Sequence, residues 1–160
     1  MQNLIAGIRE AVQGRAWHAA LALALAMPDI CGKIDGPAGN GARYKAWFDK
    51  YVKDKYTGAL EMGSMVFLSA DDCYKLRNAY LHSGEDVITY PLAPNPFTIN
   101  FQFVVSGKML HCNKEAFQNQ SVLQIDVEQF CEDIVIGVET WLLTKPNVPF
   151  DETLKIHHLT

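Results

Sequence analysis

Apolar positions recur at helical spacing over much of the chain. From Leu4 to Met27 the sequence is dominated by Ala and Leu, is broken at Gly14, and reaches Pro28, whose ring disfavours helix in the residue before it. This predicts two short helices or one kinked helix ending at Pro28. The stretch Pro28 to Gly41, PDICGKIDGPAGNG, holds four glycines and two prolines and is expected to be a loop. Asn40 is then a candidate N-cap for a helix whose Tyr44, Trp47, Phe48, Tyr51 and Val52 share one face. Ser69 followed three residues later by Asp72 has the form of a capping box, and Gly84 stands where a C-terminal cap belongs, so a helix is predicted over 70–83. Pro91, Pro94 and Pro96 mark the segment after it as a surface loop. TINFQFVV, KMLHC and SVLQI then read as the strands of a small antiparallel sheet. Asp126 caps a last helix through Val127, Phe130, Ile134, Val138, Trp141 and Leu142, with Pro146 and a tail beyond it. The expected fold is mainly α, one domain over 1–160, with a β-rich insertion at about 97–125.

A length of 160 residues, 49% of them hydrophobic and 20% charged, fits one globular domain that needs no disulfides to hold its core. The net charge of -4 excludes a global attraction to nucleic acid or anionic membrane. Locally the balance reverses, because Arg43, Lys45, Lys50, Lys53 and Lys55 face only Asp49 and Asp54. Such a run is either a solvated helix face or an anion-facing surface, to which Arg43, Lys45 and Lys50 would contribute. The longest apolar run, Ala19 to Met27, is too short for the ~20 residues of a membrane span and reads as core helix. Cys31, Cys73, Cys112 and Cys131 are widely spaced, as expected of reduced thiols packed in a cytoplasmic protein. A zinc site drawing on His111, Cys112, His157 and His158 has no supporting spacing, so no metal is expected. Neither a Gly-rich phosphate loop nor a G-x-S-x-G elbow is present.

That leaves RNAYLH, Arg77 to His82, as the candidate for chemistry. Asn78 and His82, four apart, share a helix face, and the long side chain of Arg77 can reach the same patch. A histidine moves protons near neutral pH, and an arginine fork matches phosphate oxygens and the charge that builds on them in a transition state. Together they suffice to cleave an RNA phosphodiester without metal. Arg and His near a helix C-terminus are also favoured by the helix dipole alone, and on spacing this structural reading stands ahead of the chemical one. One helix offers one histidine, whereas acid-base cleavage is better served by two; a two-fold dimer along this helix would supply the second.

RNAYLH, in its context LSADDCYKLRNAYLHSGED, resembles the signature of HEPN (higher eukaryote and prokaryote nucleotide-binding) domains: an Arg, a polar residue, and a His after four to six intervening positions. LALALAMPDICG and RYKAWFDKYV are similar to bacterial members of the same group. The resemblance covers roughly 1–84 and 126–144 and is silent on the β-rich insertion. It implies an antiparallel helical bundle, a homodimer with two motif helices around a shared cleft, and metal-independent endoribonuclease activity. Arg77, Asn78 and His82 would be the active-site residues, and no cofactor is implied. Such proteins serve as toxins, some with an antitoxin partner, or in phage defence, and others bind nucleotide or protein without cutting.

Overall fold

The computed structural model describes residues 1–36, 39–60, 63–92 and 94–145. Within them run α1 (Gln2–Gln13), α2 (Trp17–Asp35), α3 (Asn40–Tyr51), a 3-10 turn (Lys53–Tyr56), β1 (Thr57–Leu60), β2 (Gly63–Val66), α4 (Ala70–Ser83), β3 (Val87–Tyr90), β4 (Phe97–Val104), β5 (Asn113–Phe117), β6 (Gln120–Asp126) and α5 (Val127–Leu143). The expectation of a mainly α protein with a small antiparallel insertion is therefore corrected. The described residues form a mixed α/β protein of five helices and two sheets, an antiparallel hairpin β1-β2 and a four-stranded sheet ordered β3-β4-β6-β5. The longest pairing in that sheet, β4 with β6 from Thr98↔Gln120 to Val104↔Asp126, is parallel. Pro146, His157, His158 and the expected tail lie outside the described residues. No helix among those residues is long and apolar enough to cross a membrane.

α2 is the axis of the helical part and packs against α1, α3, α4 and α5. It runs through Pro28 instead of ending there. An interior proline costs on the order of 3 kcal/mol, and here burial outweighs it: Leu21, Ala24, Leu25, Met27, Pro28 and Cys31 are all buried. The buried Tyr44 hydroxyl donates to Leu25 O at 3.2 Å, serving a carbonyl in the turn that the proline disturbs. One turn further along, α3 comes so close that a Cβ on Gly32 would stand 2.8 Å from Arg43 O. Only glycine permits that approach.

α3 begins one residue away from the expected cap, with Gly39 at the N-cap and Asn40 already helical and without a side-chain cap bond. Tyr44, Trp47 and Phe48 are buried as the periodicity requires. α4 matches its predicted limits. Ser69 Oγ accepts from Asp72 N at 3.1 Å, Asp72 Oδ2 accepts from Ser69 N at 3.2 Å, and Gly84 closes the helix at φ 69°. The bonds Gly84 N to Tyr80 O and Glu85 N to Ala79 O complete the cap.

The segment expected to be loop after α4 contains β3, because Pro91 lies just past the β-branched run and Val87–Tyr90 pairs antiparallel with β4. KMLHC is not a strand. Asp126, fully buried at the end of β6, draws the chain ahead of it into a turn: its Oδ2 accepts from Ser106 N at 2.7 Å, Ser106 Oγ at 2.8 Å and Lys108 N at 3.2 Å, while its Oδ1 caps α5 through Gln129 N at 3.0 Å. Burial alone would raise this carboxyl, but the bonds from Gln129, Ser106 and Lys108 outweigh it and hold Asp126 below the ordinary aspartate value.

Asp126→Asn keeps the shape but turns an amide N–H₂ toward donors, so it should cost about 2–4 kcal/mol in urea unfolding. Because the folded carboxyl titrates lower than the unfolded one, its contribution is present above about pH 3.8 and is lost as pH falls through the depressed folded value. Parent and variant should therefore converge in stability under acid; an unchanged gap at every pH would contradict the assignment.

Candidate functional site

α4 carries its polar motif at its exposed end. Arg77 Nη1 lies 3.1 Å from His82 Nε2 and donates to Asn78 Oδ1 at 3.0 Å. A guanidinium only donates, so in this contact His82 Nε2 is the acceptor. The other terminal nitrogen, Nη2, reaches Asp29 Oδ2 on α2 at 3.4 Å, and Asp29 Oδ1 accepts from Arg43 Nε on α3 at 3.2 Å. Arg77 and Asp29 are each 20% exposed and Arg43 17%, so the linked charges are shielded without being sealed from water. His82 is exposed. Arg77 Nε is buried and has no acceptor among the described residues, and the Asn78 amide nitrogen likewise has no partner there. The cluster thus joins Arg77, Asn78, His82 and Arg43 and adds Asp29.

The other two basic residues expected to bind substrate sit elsewhere. Lys45 Nζ lies 3.1 Å from Asp71 Oδ1, in the first turn of α4. Asp71 and His82 are eleven positions apart, about 16 Å along a helix, so Lys45 is neutralised at the far end of the motif helix. Lys50 lies over the ring of its neighbour Tyr51, 5.1 Å from the centroid, beside an open depression that Arg43 also lines.

Two residues went unread in the sequence. Asp29 falls in the stretch expected to be loop beyond Pro28; its signal is that it is the first acid after Glu10 in an apolar stretch, where a carboxylate needs a cation. The second is His18, in the first turn of α2, whose Nδ1 is 2.7 Å from the Tyr80 hydroxyl, with the two rings stacked at 6.4 Å. Tyr80 follows Arg77 by three positions on α4 and abuts Phe103 of β4 edge-on. Nothing in the spacing of residues 18 and 80 announces this pair.

Among the described residues, which leave out His157 and His158, no group of three or more ligating side chains occurs around His111 and Cys112 or elsewhere. His111 Nε2 stands 3.6 Å from Asp133 Oδ2, while Lys55 Nζ and Gln129 Nε2 hold Oδ1 at 3.0 and 2.8 Å. Its ring packs edge-on against Tyr56. Burial depresses His111 below the ordinary histidine value, and Asp133 and Asp126 oppose the shift without cancelling it. Burial likewise pushes the Cys73, Cys112 and Cys131 thiols up to about 12, so they stay protonated at neutral pH.

Replacing Asp29 by Ala leaves two guanidiniums facing each other without a counter-charge. A loss of about 1–3 kcal/mol is expected in denaturant unfolding, smaller at high salt, where the remaining repulsion is screened. For His111, the unfolded chain binds the proton more readily, so stability is full above about pH 6.5 and declines as pH falls through the lower folded value. His111→Phe should flatten that part of the pH-stability curve relative to the parent; equal slopes would remove His111 as its source.

No family model matches the chain, and no curated protein or solved structure is significantly similar to it.

Proposed function

We propose that the protein is a metal-independent endoribonuclease of HEPN type, acting in the cytoplasm as a homodimer whose two motif helices share one cleft. The observation that supports this best is the 3.1 Å contact between Arg77 Nη1 and His82 Nε2, at the exposed end of α4 with Asn78 on the same guanidinium. A phosphoryl oxygen can replace His82 as the acceptor on Arg77, which frees the imidazole lone pair. His82 then takes the proton from the ribose 2′-hydroxyl, the 2′-oxygen attacks phosphorus, and the bond to the 5′-oxygen breaks. A histidine of the second copy returns a proton to that leaving oxygen. The products are a 2′,3′-cyclic phosphate and a free 5′-hydroxyl. Arg77 stabilises the charge on the phosphoryl oxygens, and Asn78 orients them.

A second reading, a non-catalytic dimeric module that binds a nucleotide or a protein, is favoured by the bond from Arg77 Nη2 to Asp29, which commits part of the guanidinium to structure.

The two are separated by incubating the protein with single-stranded RNA in excess EDTA. Cleavage with cyclic phosphate ends is expected, falling by about a hundredfold or more in His82→Ala with the unfolding transition unchanged. Arg77→Lys keeps the charge but loses the fork and should be severely impaired. RNA left intact by the parent leaves the binding module as the reading, whereas RNA cut equally well by His82→Ala removes the role given to His82.

A further inference from the structure

The depression beside Lys50 lies between the end of α2 and the outer face of α3. It has a volume of about 240 Å3 and is lined by Asp35, Gly36, Arg43, Trp47, Lys50 and Tyr51 among others. The charges on its wall do not cancel. Asp35 Oδ1 is already engaged, 2.8 Å from Lys145 Nζ and accepting from Trp141 Nε1 at 2.9 Å. Arg43 spends only its Nε, on Asp29, and its terminal nitrogens meet no acceptor among the described residues. Lys50 has no carboxylate partner there either. Trp47, 2% exposed, completes the apolar part of the lining. Two cations with spare donors beside a tyrosine ring make a wall suited to an anion attached to a flat or apolar group.

Its position ties this wall to the motif. Arg43, which touches Asp29 through Nε at 3.2 Å, also lines the depression, and Asp29 in turn touches Arg77 at 3.4 Å. One carboxylate therefore separates the depression from the guanidinium that would hold the cleaved phosphate. The volume is below the roughly 300–1,000 Å3 of pockets that enclose a whole small-molecule ligand, so it fits a phosphate with its sugar better than an enclosed cofactor.

We infer that this depression binds a backbone phosphate of the RNA strand flanking the bond to be cut, with Arg43 and Lys50 on its oxygens and Tyr51 against the adjoining sugar or base. This rests on the nuclease reading for the identity of the strand, but the binding itself needs no cleavage and is tested without it. In His82→Ala protein, a labelled single-stranded RNA of about twelve nucleotides is titrated at several salt concentrations and followed by fluorescence anisotropy. Adding Lys50→Glu should weaken binding about tenfold and reduce the steepness of the log-log salt dependence by about 0.7. Lys53→Glu, the same charge change next to Asp49 and outside the depression, should shift affinity less than about twofold. Adenosine monophosphate at millimolar concentration should not displace the strand. Three results overturn the inference: no effect of Lys50→Glu, equal weakening by Lys53→Glu, which would mean diffuse attraction, or Lys50-dependent binding of adenosine monophosphate as tight as that of the strand, which would mean a free-nucleotide site. Because the binding assay and the cleavage assay are independent, a protein that binds through Lys50 without cutting sinks the catalytic reading alone.

Discussion

The Asp29 carboxylate, held between Arg43 of α3 and Arg77 of α4, is the contact on which the polar cluster depends. Two guanidiniums drawn to one carboxylate repel each other; unit charges a few ångströms apart do so by roughly 2–4 kcal/mol at an effective dielectric near 20. That cost is comparable with what a partly exposed ion pair returns, so the three groups stay together only if the backbone already places them. Gly32 does this, by letting α2 and α3 approach until Arg43 O would touch a Cβ at that position. Asp29 lies one turn before Gly32, on the stretch of α2 that α3 crosses. The site thus rests on a packing constraint first and an electrostatic one second.

The motif helix is fixed firmly at one end and open at the other. At its start Asp71 meets Lys45, Lys75 and the Tyr90 hydroxyl, and Asp72 completes the capping box while accepting from the same hydroxyl at 2.5 Å. Lys75 lies over the Tyr90 ring, 3.2 Å from its centroid. β3 is thereby bound to the first turn of α4, and Phe103 of β4 braces Tyr80 further along. The sheet, which the motif pattern left without a role, buttresses the helix that carries the candidate chemistry. His82, past these contacts, touches Arg77 and stands just before the αL cap at Gly84.

What could be read in the sequence is what local chemistry decides. Ser69, Asp72 and Gly84 fix α4 through bonds within a few residues of each other, and Asp126 starts α5 in the same way. The alternation in β4 and β6 places Ile99, Phe101, Leu123 and Ile125 in the core regardless of strand direction. The failures share a different cause. Pro28 breaks a helix unless neighbours on every side repay it, and those neighbours come from distant parts of the chain. Whether β4 and β6 run parallel depends on the turn that Asp126 organises around Ser106 and Lys108, some twenty residues earlier. Asp29 was lost with the helix that contains it. Within the candidate site, the residues on one helix were legible, whereas Asp29, which reaches it across the fold, was not.

On the proposed reading the resting cluster also limits its own reactivity. Arg77 Nη1 occupies His82 Nε2, the nitrogen that would accept a proton, so the base is blocked until an anion takes its place. Of the three acceptors on Arg77, the neutral imidazole is the weakest competitor against a phosphate, because Asp29 is charged and Asn78 is the adjacent residue on the same helix turn. A phosphate would therefore displace His82 before Asp29. Binding and activation of the base become one event, which confines proton transfer to the moment when a phosphodiester is present. If Asp29 were instead the partner exchanged, Arg43 and Arg77 would lose their shared counter-charge while gaining a doubly contacted phosphate. The same substrate would then pull the two arginines together, and the depression along Arg43 would be drawn toward the motif.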